Sequence, residues 1–239
     1  MAQYIYGKNV VKQLIANQSA IHQIYLSKDK PDQEILLLAK NNRILVQFLT
    51  ASEFKQFEGV HQNVVAAVDD FKTHTLEECL LDLKEQMCFI LLDGLEDPHN
   101  LGAILRTADA TQMDGVIIPR HGSVHLNSTV AKVSTGAIDT VKTIEVVNLT
   151  RTMETLKKHE FWIYASEYSP NAKDYRSIDY RGRIALVLGS EGKGISRLVL
   201  KNCDETIKIP LLGQITSLNV SVSAAVLMYE VLNQRYPFK

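Results

Sequence analysis

Apolar and polar positions along the chain fall into short blocks whose period switches repeatedly between that of a helix and that of a strand. In the first third they predict a helix from Lys8 to Ala16, a strand from Ile21 to Leu26, a helix from Asp32 to Lys40, and strands over Leu45 to Phe48 and Val64 to Val68. Residues 4 to about 70 therefore read as a small α/β unit of their own, within a first domain at 1–72. An acidic stretch follows Thr73-His74-Thr75, where Thr75 is placed to cap a short helix from Leu76 to Leu83. Residues 73–86 read as a linker.

Over 87–239, strand-like apolar runs alternate with helical patterns. They cover Phe89 to Leu92, Leu101 to Met113, Gly115 to Ile118, Thr129 to Gly136, Thr143 to Val146, Arg151 to His159, Phe161 to Ala165, Ile184 to Leu188 and Thr206 to Ile209. Such alternation predicts a largely parallel sheet with helices on both faces. Ligands of open α/β sheets sit at the carboxyl ends of strands, and the turns after Leu92, Leu188 and Ile209 have unusual compositions. The last helix, Asn219 to about Arg235, carries one apolar stripe of Val222, Ala225, Val226, Tyr229 and Leu232 and another of Val220, Ala224, Leu227 and Val231. A helix apolar nearly all round is buried on both sides, either as a central core helix or with one stripe against a second copy of the chain. The second reading predicts a homodimer.

At 239 residues, 46% apolar and 22% charged, the chain has the make-up of a soluble globular protein. No apolar run approaches the ~20 residues of a membrane span and the N-terminus lacks the pattern of a secretory signal, so a cytoplasmic protein is expected. Cys79, Cys88 and Cys203 have no CxxC spacing and read as ordinary thiols. Gly122 makes the His121 to His125 spacing a poor helical metal pair, and no metal is expected. A net charge of -1 argues against coating nucleic acid by bulk electrostatics. Any RNA contact must then come from local patches, such as Lys28 with Lys30, Lys40 with Arg43, Lys132 with Lys142, or Arg176 with Arg181 and Arg183.

Three segments carry candidate chemistry. Gly189-Ser190-Glu191-Gly192-Lys193-Gly194 spaces its glycines G-x-x-G-x-G and follows Gly192-Lys193 with Gly194, which fits neither a P-loop nor a dinucleotide fingerprint. Its glycines permit close backbone approach to a ligand, and Glu191 puts a carboxylate between them. In Asp97-Pro98-His99-Asn100-Leu101-Gly102-Ala103-Ile104-Leu105-Arg106, Asn100 is either a helix N-cap or a positioning amide. Arg106, off the apolar stripe, is either a solvated residue or a fork for a phosphate. In the third, Pro210 and Gly213 shape a loop that delivers Ser217 and Asn219 to a helix start. A Rossmann oxidoreductase would need G-x-G-x-x-G after its first strand and an acidic residue about twenty positions on, and both are missing.

In order, D-P-x-N-x-G-x-I-x-R, L-G-x-E-G-x-G and I-P-x-x-G-x-x-x-S-L-N-V-S closely resemble the SpoU, or TrmH-like, family of RNA 2′-O-ribose methyltransferases in the SPOUT superfamily. The resemblance covers Met87 to Lys239. The preceding unit, with Tyr6-Gly7-Lys8-Asn9-Val10 and Val60-His61-Gln62-Asn63-Val64-Val65-Ala66, resembles the substrate-binding domain of the RlmB-type subgroup that modifies 23S rRNA guanosine. Asn63 stands where that subgroup usually has glycine, and Asn tolerates a left-handed backbone. The resemblance implies an α/β fold with a C-terminal trefoil knot, a ribosomal L30e-like first domain, S-adenosylmethionine as cofactor, and a site completed across a homodimer. It implies catalytic roles for Asn100, Arg106, Glu191, Ser217 and Asn219. Cofactor contacts fall to Gly189, Ile209 and Leu218, with the loop after Ala165 as a frame. The implied substrate is structured RNA, a guanosine of 23S rRNA first, with tRNA, or RNA binding without catalysis, as the alternatives.

Overall fold

A computed structural model describes residues 3–17, 19, 21–57, 61–68 and 71–236. The first unit holds β1 (Gln3–Tyr6), α1 (Lys8–Ala16), β2 (Ile21–Ser27), α2 (Gln33–Asn41), β3 (Leu45–Leu49) and β4 (Val64–Val68), with a 3-10 turn at Glu53–Gln56. Its four-stranded sheet has the order β1-β4-β2-β3, antiparallel except for the β2/β3 pair. The side-chain alternation of the strands splits the unit into two faces. Ile5, Ile24, Leu26, Val64 and Ala66 pack with Val11, Leu14, Ile35 and Ala39 of the helices, while Val65 and Leu49 pack on Phe54 and Phe57. Asp32 starts α2 by accepting a hydrogen bond from the Ile35 N–H at 3.1 Å.

α3 (Leu76–Leu80) follows, three residues shorter than expected at its C-terminal end. Thr75 and Glu78 close a reciprocal cap: the Glu78 N–H donates to Thr75 Oγ1 at 3.2 Å and the Thr75 N–H to Glu78 Oε2 at 3.0 Å. The His74 N–H donates to the Thr143 carbonyl at 2.8 Å, tying this segment to the edge of the second sheet.

The second sheet is built from β5 (Met87–Asp93), β6 (Gly115–Pro119), β7 (Thr143–Val146), β8 (Trp162–Ser166), β9 (Lys173–Asp174), β10 (Arg183–Gly189) and β11 (Glu205–Lys208). All its neighbours pair in parallel, in the order β7-β6-β5-β10-β8-β11-β9. Between strands run α4 (Pro98–Ala110), α5 (Ser128–Ser134), α6 (Ala137–Thr140), α7 (Leu149–Lys158) and α8 (Arg197–Lys201), and α9 (Val220–Arg235) closes the described chain. The central strands read as unbroken apolar runs because both faces are covered. Cys88, Ile90, Leu92, Ile184, Leu186 and Leu188 meet the α4 and α9 side, and Phe89, Leu91, Ala185 and Val187 meet the α3, α7 and α8 side. Burial pushes the Cys88 and Cys203 thiols up to about 12, leaving both protonated at neutral pH.

α5 ends before the expected Gly136 because Thr135 (φ 50°) and Gly136 (φ 97°) both turn left-handed. α4 and α5 touch backbone to side chain at Gly102, where an added Cβ would lie 2.6 Å from Val133 Cβ and 3.1 Å from the Val130 carbonyl oxygen. Gly102→Ala is therefore expected to lower unfolding free energy by about 1–3 kcal/mol, measured by urea denaturation.

The two stripes of α9 meet different fates. Val220, Ala224, Leu227 and Val231 are buried against the sheet side, with Met228, whereas Val222 and Tyr229 keep 48% and 53% of their surface exposed. The central-core reading of this helix is thus overturned within one chain. The far end of α9 is wrapped by residues 178–182. Gln234 accepts from the Tyr180 N–H and donates to the Ile178 carbonyl, both at 2.9 Å. The Arg235 guanidinium donates to the carbonyls of Met87 at 3.0 Å, Tyr180 at 3.1 Å and Gly182 at 2.9 Å. The two units meet where Asn17 and Ser19 each donate to Asp139 at 3.4 Å.

Candidate functional site

The site begins with the turn at the carboxyl end of β10. The Gly194 N–H returns to the Ser190 carbonyl at 2.9 Å, and Gly192 (φ 82°) and Gly194 (φ 66°) take the left-handed backbone that such a reversal needs. The turn folds tightly onto its own root: a Cβ on Gly189 would sit 2.1 Å from the Gly194 carbonyl carbon. Asp93 at the end of β5 accepts from the Ser196 N–H at 2.7 Å and holds the turn against its neighbour.

Three carboxyl-end segments enclose a cavity of about 680 Å³: Ser166–Tyr168 after β8, Leu188–Gly194 after β10, and the stretch from Lys208 to Asn219 after β11. Gly189, Glu191, Ile209, Ser217, Leu218 and Asn219 all line it. At its rim a polar cluster joins the three motifs. Asn219 Nδ2 donates to Glu191 Oε1 at 2.5 Å and to Asn100 Oδ1 at 3.0 Å, and Asn100 Nδ2 donates to the same Glu191 oxygen at 3.1 Å. Asn219 Oδ1 simultaneously caps α9 through the Ser221 N–H at 2.9 Å and the Ser221 hydroxyl at 2.6 Å. Both amides are thus oriented by bonds at each end, and they fix one oxygen of the carboxylate.

Asn100 does not cap its helix. Asp97 does, accepting from the His99 N–H at 2.8 Å with Pro98 in the first turn, so the helix starts three residues earlier than the apolar stripe and frees the Asn100 amide for the cluster. Ala165 is fully buried inside β8, paired with Val187 and Thr206, and its side chain faces the α7 and α8 side. The residues just after it, Ser166, Glu167 and Tyr168, form that wall instead. Arg106 also lies outside the cavity. Six residues beyond Asn100, it is about 9 Å further along the helix and about 240° around it. There it is exposed and borders a separate hollow of about 340 Å³ with Gln13, Asn17, Asp109 and Ser134–Ala137. Tyr168, within the loop after Ala165, also lines the wall, with Lys208, whose ammonium lies 5.9 Å from the Tyr168 ring centre; neither was singled out by residue type. Their signal was position alone, at or just past the carboxyl ends of β11 and β8.

With that geometry in place, comparison with known proteins is decisive. A family model described as the SpoU rRNA methylase family matches residues 87–229, and one described as RNA 2′-O ribose methyltransferase substrate binding matches residues 4–74. The chain belongs to the SpoU rRNA methylase family. It is an RNA methyltransferase of that family, and its pocket lies wholly within the matched methylase region. A Staphylococcus aureus (strain COL) protein assigned to the TrmH family of tRNA/rRNA methyltransferases is 44% identical over 97% of this chain and 96% of its own length. Among solved structures, the SpoU methyltransferase AviRb of Streptomyces viridochromogenes, crystallised with AdoMet, superposes with a TM-score of 0.84. It is 19% identical and covers 100% of this chain and 92% of its own, a likeness of fold. An RNA 2′-O ribose methyltransferase structure gives 0.75 at 25% identity, over 97% of this chain and 88% of its own.

Proposed function

We propose that the pocket binds S-adenosylmethionine and that the chain methylates a ribose 2′-hydroxyl in structured RNA, a guanosine of 23S rRNA ahead of tRNA. The observation that carries this reading is the convergence of Asn100, Glu191 and Asn219, from three distant motifs, at the rim of a cavity walled by a glycine turn. The residues fit the cofactor: backbone at Gly189 and Ile209 and the Leu218 side of the loop offer close apolar and hydrogen-bonding contact, and the volume suits a nucleoside-sized ligand. When bound, the cofactor supplies an electrophilic methyl on a sulfonium, which leaves the protein the tasks of alignment and charge control. Ser217 lies beside the amide cluster in the same loop, and Asn100 and Asn219 hold Glu191 where the sugar would meet the cofactor.

Arg106 serves as a phosphate fork and stabilises charge at the developing alkoxide. A guanidinium stays protonated in proteins, so the hydroxyl proton passes to the phosphate flanking the target nucleotide or to water. Because Arg106 lies outside its own chain's cavity, it acts in the cavity of a second copy, and the exposed stripe of α9 at Val222 and Tyr229 supplies apolar surface for that homodimer. Arg106→Lys keeps the charge and loses the planar fork. Methyl transfer is expected to fall by about 10-fold to 100-fold, and near-normal turnover would remove the fork from the account.

The same reading divides the chain into an L30e-like RNA-binding domain at 1–72, a linker at 73–86 and a methyltransferase domain at 87–239. The trefoil knot of the C-terminal segment rests on the resemblance to the family. No helix among the described residues is long and apolar enough to cross a membrane, and the proposed rRNA substrate is the support for a cytoplasmic location. For the choice of 23S rRNA over tRNA, the support is the resemblance of the first unit to the RlmB-type domain. Mapping labelled methyl groups after incubation with total RNA tests that choice.

A further inference from the structure

The outer face of the first sheet lies outside the candidate methyl-transfer site and carries a cluster of aromatic rings. Phe57 is buried at its centre, with Tyr4 at 5.0 Å edge-on, Tyr25 at 5.3 Å and Phe54 at 6.0 Å between ring centres. Tyr4 keeps 41% of its surface exposed, and its ring lies 6.2 Å from that of Tyr25. Beside the rings runs a line of amides. The Tyr25 hydroxyl donates to Gln23 Oε1 at 3.2 Å, and Gln23 Nε2 donates to Gln47 Oε1 at 3.0 Å. Gln47 is exposed, and it enters this chain of bonds through its Oε1. Exposed Lys28 and Lys30 follow β2 directly, and exposed Lys55 sits between Phe54 and Phe57.

A face of two partly exposed tyrosines packed on a buried phenylalanine, with glutamine amides beside the rings and ammonium groups nearby in the chain, matches what an unstacked RNA segment requires. Bases stack on rings, amides meet their edges, and lysines meet the phosphates. We propose that this face, centred on Tyr4, Tyr25 and Gln47, holds splayed bases of a single-stranded RNA segment. The inference rests on the reading of the chain as an RNA-modifying enzyme and adds which surface of the first unit takes the substrate. The family model for substrate binding spans these residues, which argues for RNA as the occupant.

The test uses the full chain and a short single-stranded oligouridylate carrying 4-thiouridine, since stacking of this kind tolerates sequence. Tyr4→Ala is expected to raise the Kd for the oligonucleotide, and the KM for rRNA in methyl transfer, about tenfold with kcat unchanged, while Tyr4→Phe stays within about twofold of the wild type. Cross-links should map to peptides containing Tyr4 or Tyr25. An unchanged Kd for Tyr4→Ala, cross-links confined to other surfaces, or no binding of the oligonucleotide by the wild type at low salt would each overturn the proposal. A changed sedimentation of Tyr4→Ala with unchanged Kd would reassign the face to contact between copies. If the wild type binds the oligonucleotide through Tyr4 but transfers no methyl to any RNA, the methyltransferase reading fails and this one stands.

Discussion

Alanine at Gly189 is expected to abolish cofactor binding. Its Cβ would lie 2.1 Å from the Gly194 carbonyl carbon, 2.3 Å from the Gly194 oxygen and 2.3 Å from the Ile195 nitrogen. All three are backbone atoms of the same turn, so no rotamer change relieves the contact and the turn itself must open. Overpacking against side chains costs about 1–3 kcal/mol, and a backbone collision belongs at or above the top of that range. Titration calorimetry with S-adenosylmethionine should show Kd raised by at least about 100-fold. A far-UV spectrum close to that of the wild type separates loss of the pocket from loss of the fold. Wild-type affinity in this variant would mean that the turn after β10 does not form the cavity wall.

The second large effect follows from the proposal that two chains share one site. Arg106→Ala and Glu191→Ala are each expected to reduce methyl transfer by about 100-fold to 1,000-fold, the range for removal of one preorganised charge-stabilising group. Mixed and allowed to exchange subunits, the two inactive proteins should regain activity up to about a quarter of the wild type. In a mixed dimer one cavity keeps its Glu191 and receives an intact Arg106, while the other lacks both. No recovery after demonstrated exchange would place Arg106 in the service of its own chain, which the present position on α4 does not allow without a rotation of that helix.

Long apolar runs were the most legible part of the sequence. β5 and β10 lie between covering helices, so their side chains are apolar on both faces and their bounds differ from the expectation by one or two residues at each end. β1 was not anticipated, because four residues on a sheet edge alternate Tyr with neighbours too briefly to signal a strand. The two-residue β9 had no signal at all. At the site, Gly189, Ile209, Ser217, Leu218 and Asn219 could be placed together because each follows a strand at the same end of one sheet. Arg106 could not. Its separation from Asn100 along one helix fixes direction as well as distance, and helical phase turns it about 120° away from the cavity-facing side. Ala165 itself lies one residue of register inside the core, and the loop after it reaches the cavity wall.

The measurement that bears most directly on the central claim is transfer of labelled methyl from S-adenosylmethionine to purified 23S rRNA and tRNA, followed by alkaline hydrolysis. A methylated 2′-oxygen cannot attack the adjacent phosphodiester, so label on that oxygen survives as an alkali-stable dinucleotide. The predicted result is label in such dinucleotides with guanosine at the blocked position, present with the wild type and lost with Arg106→Ala. Label recovered only on bases, or no transfer to either RNA by a protein that binds the cofactor, would contradict it.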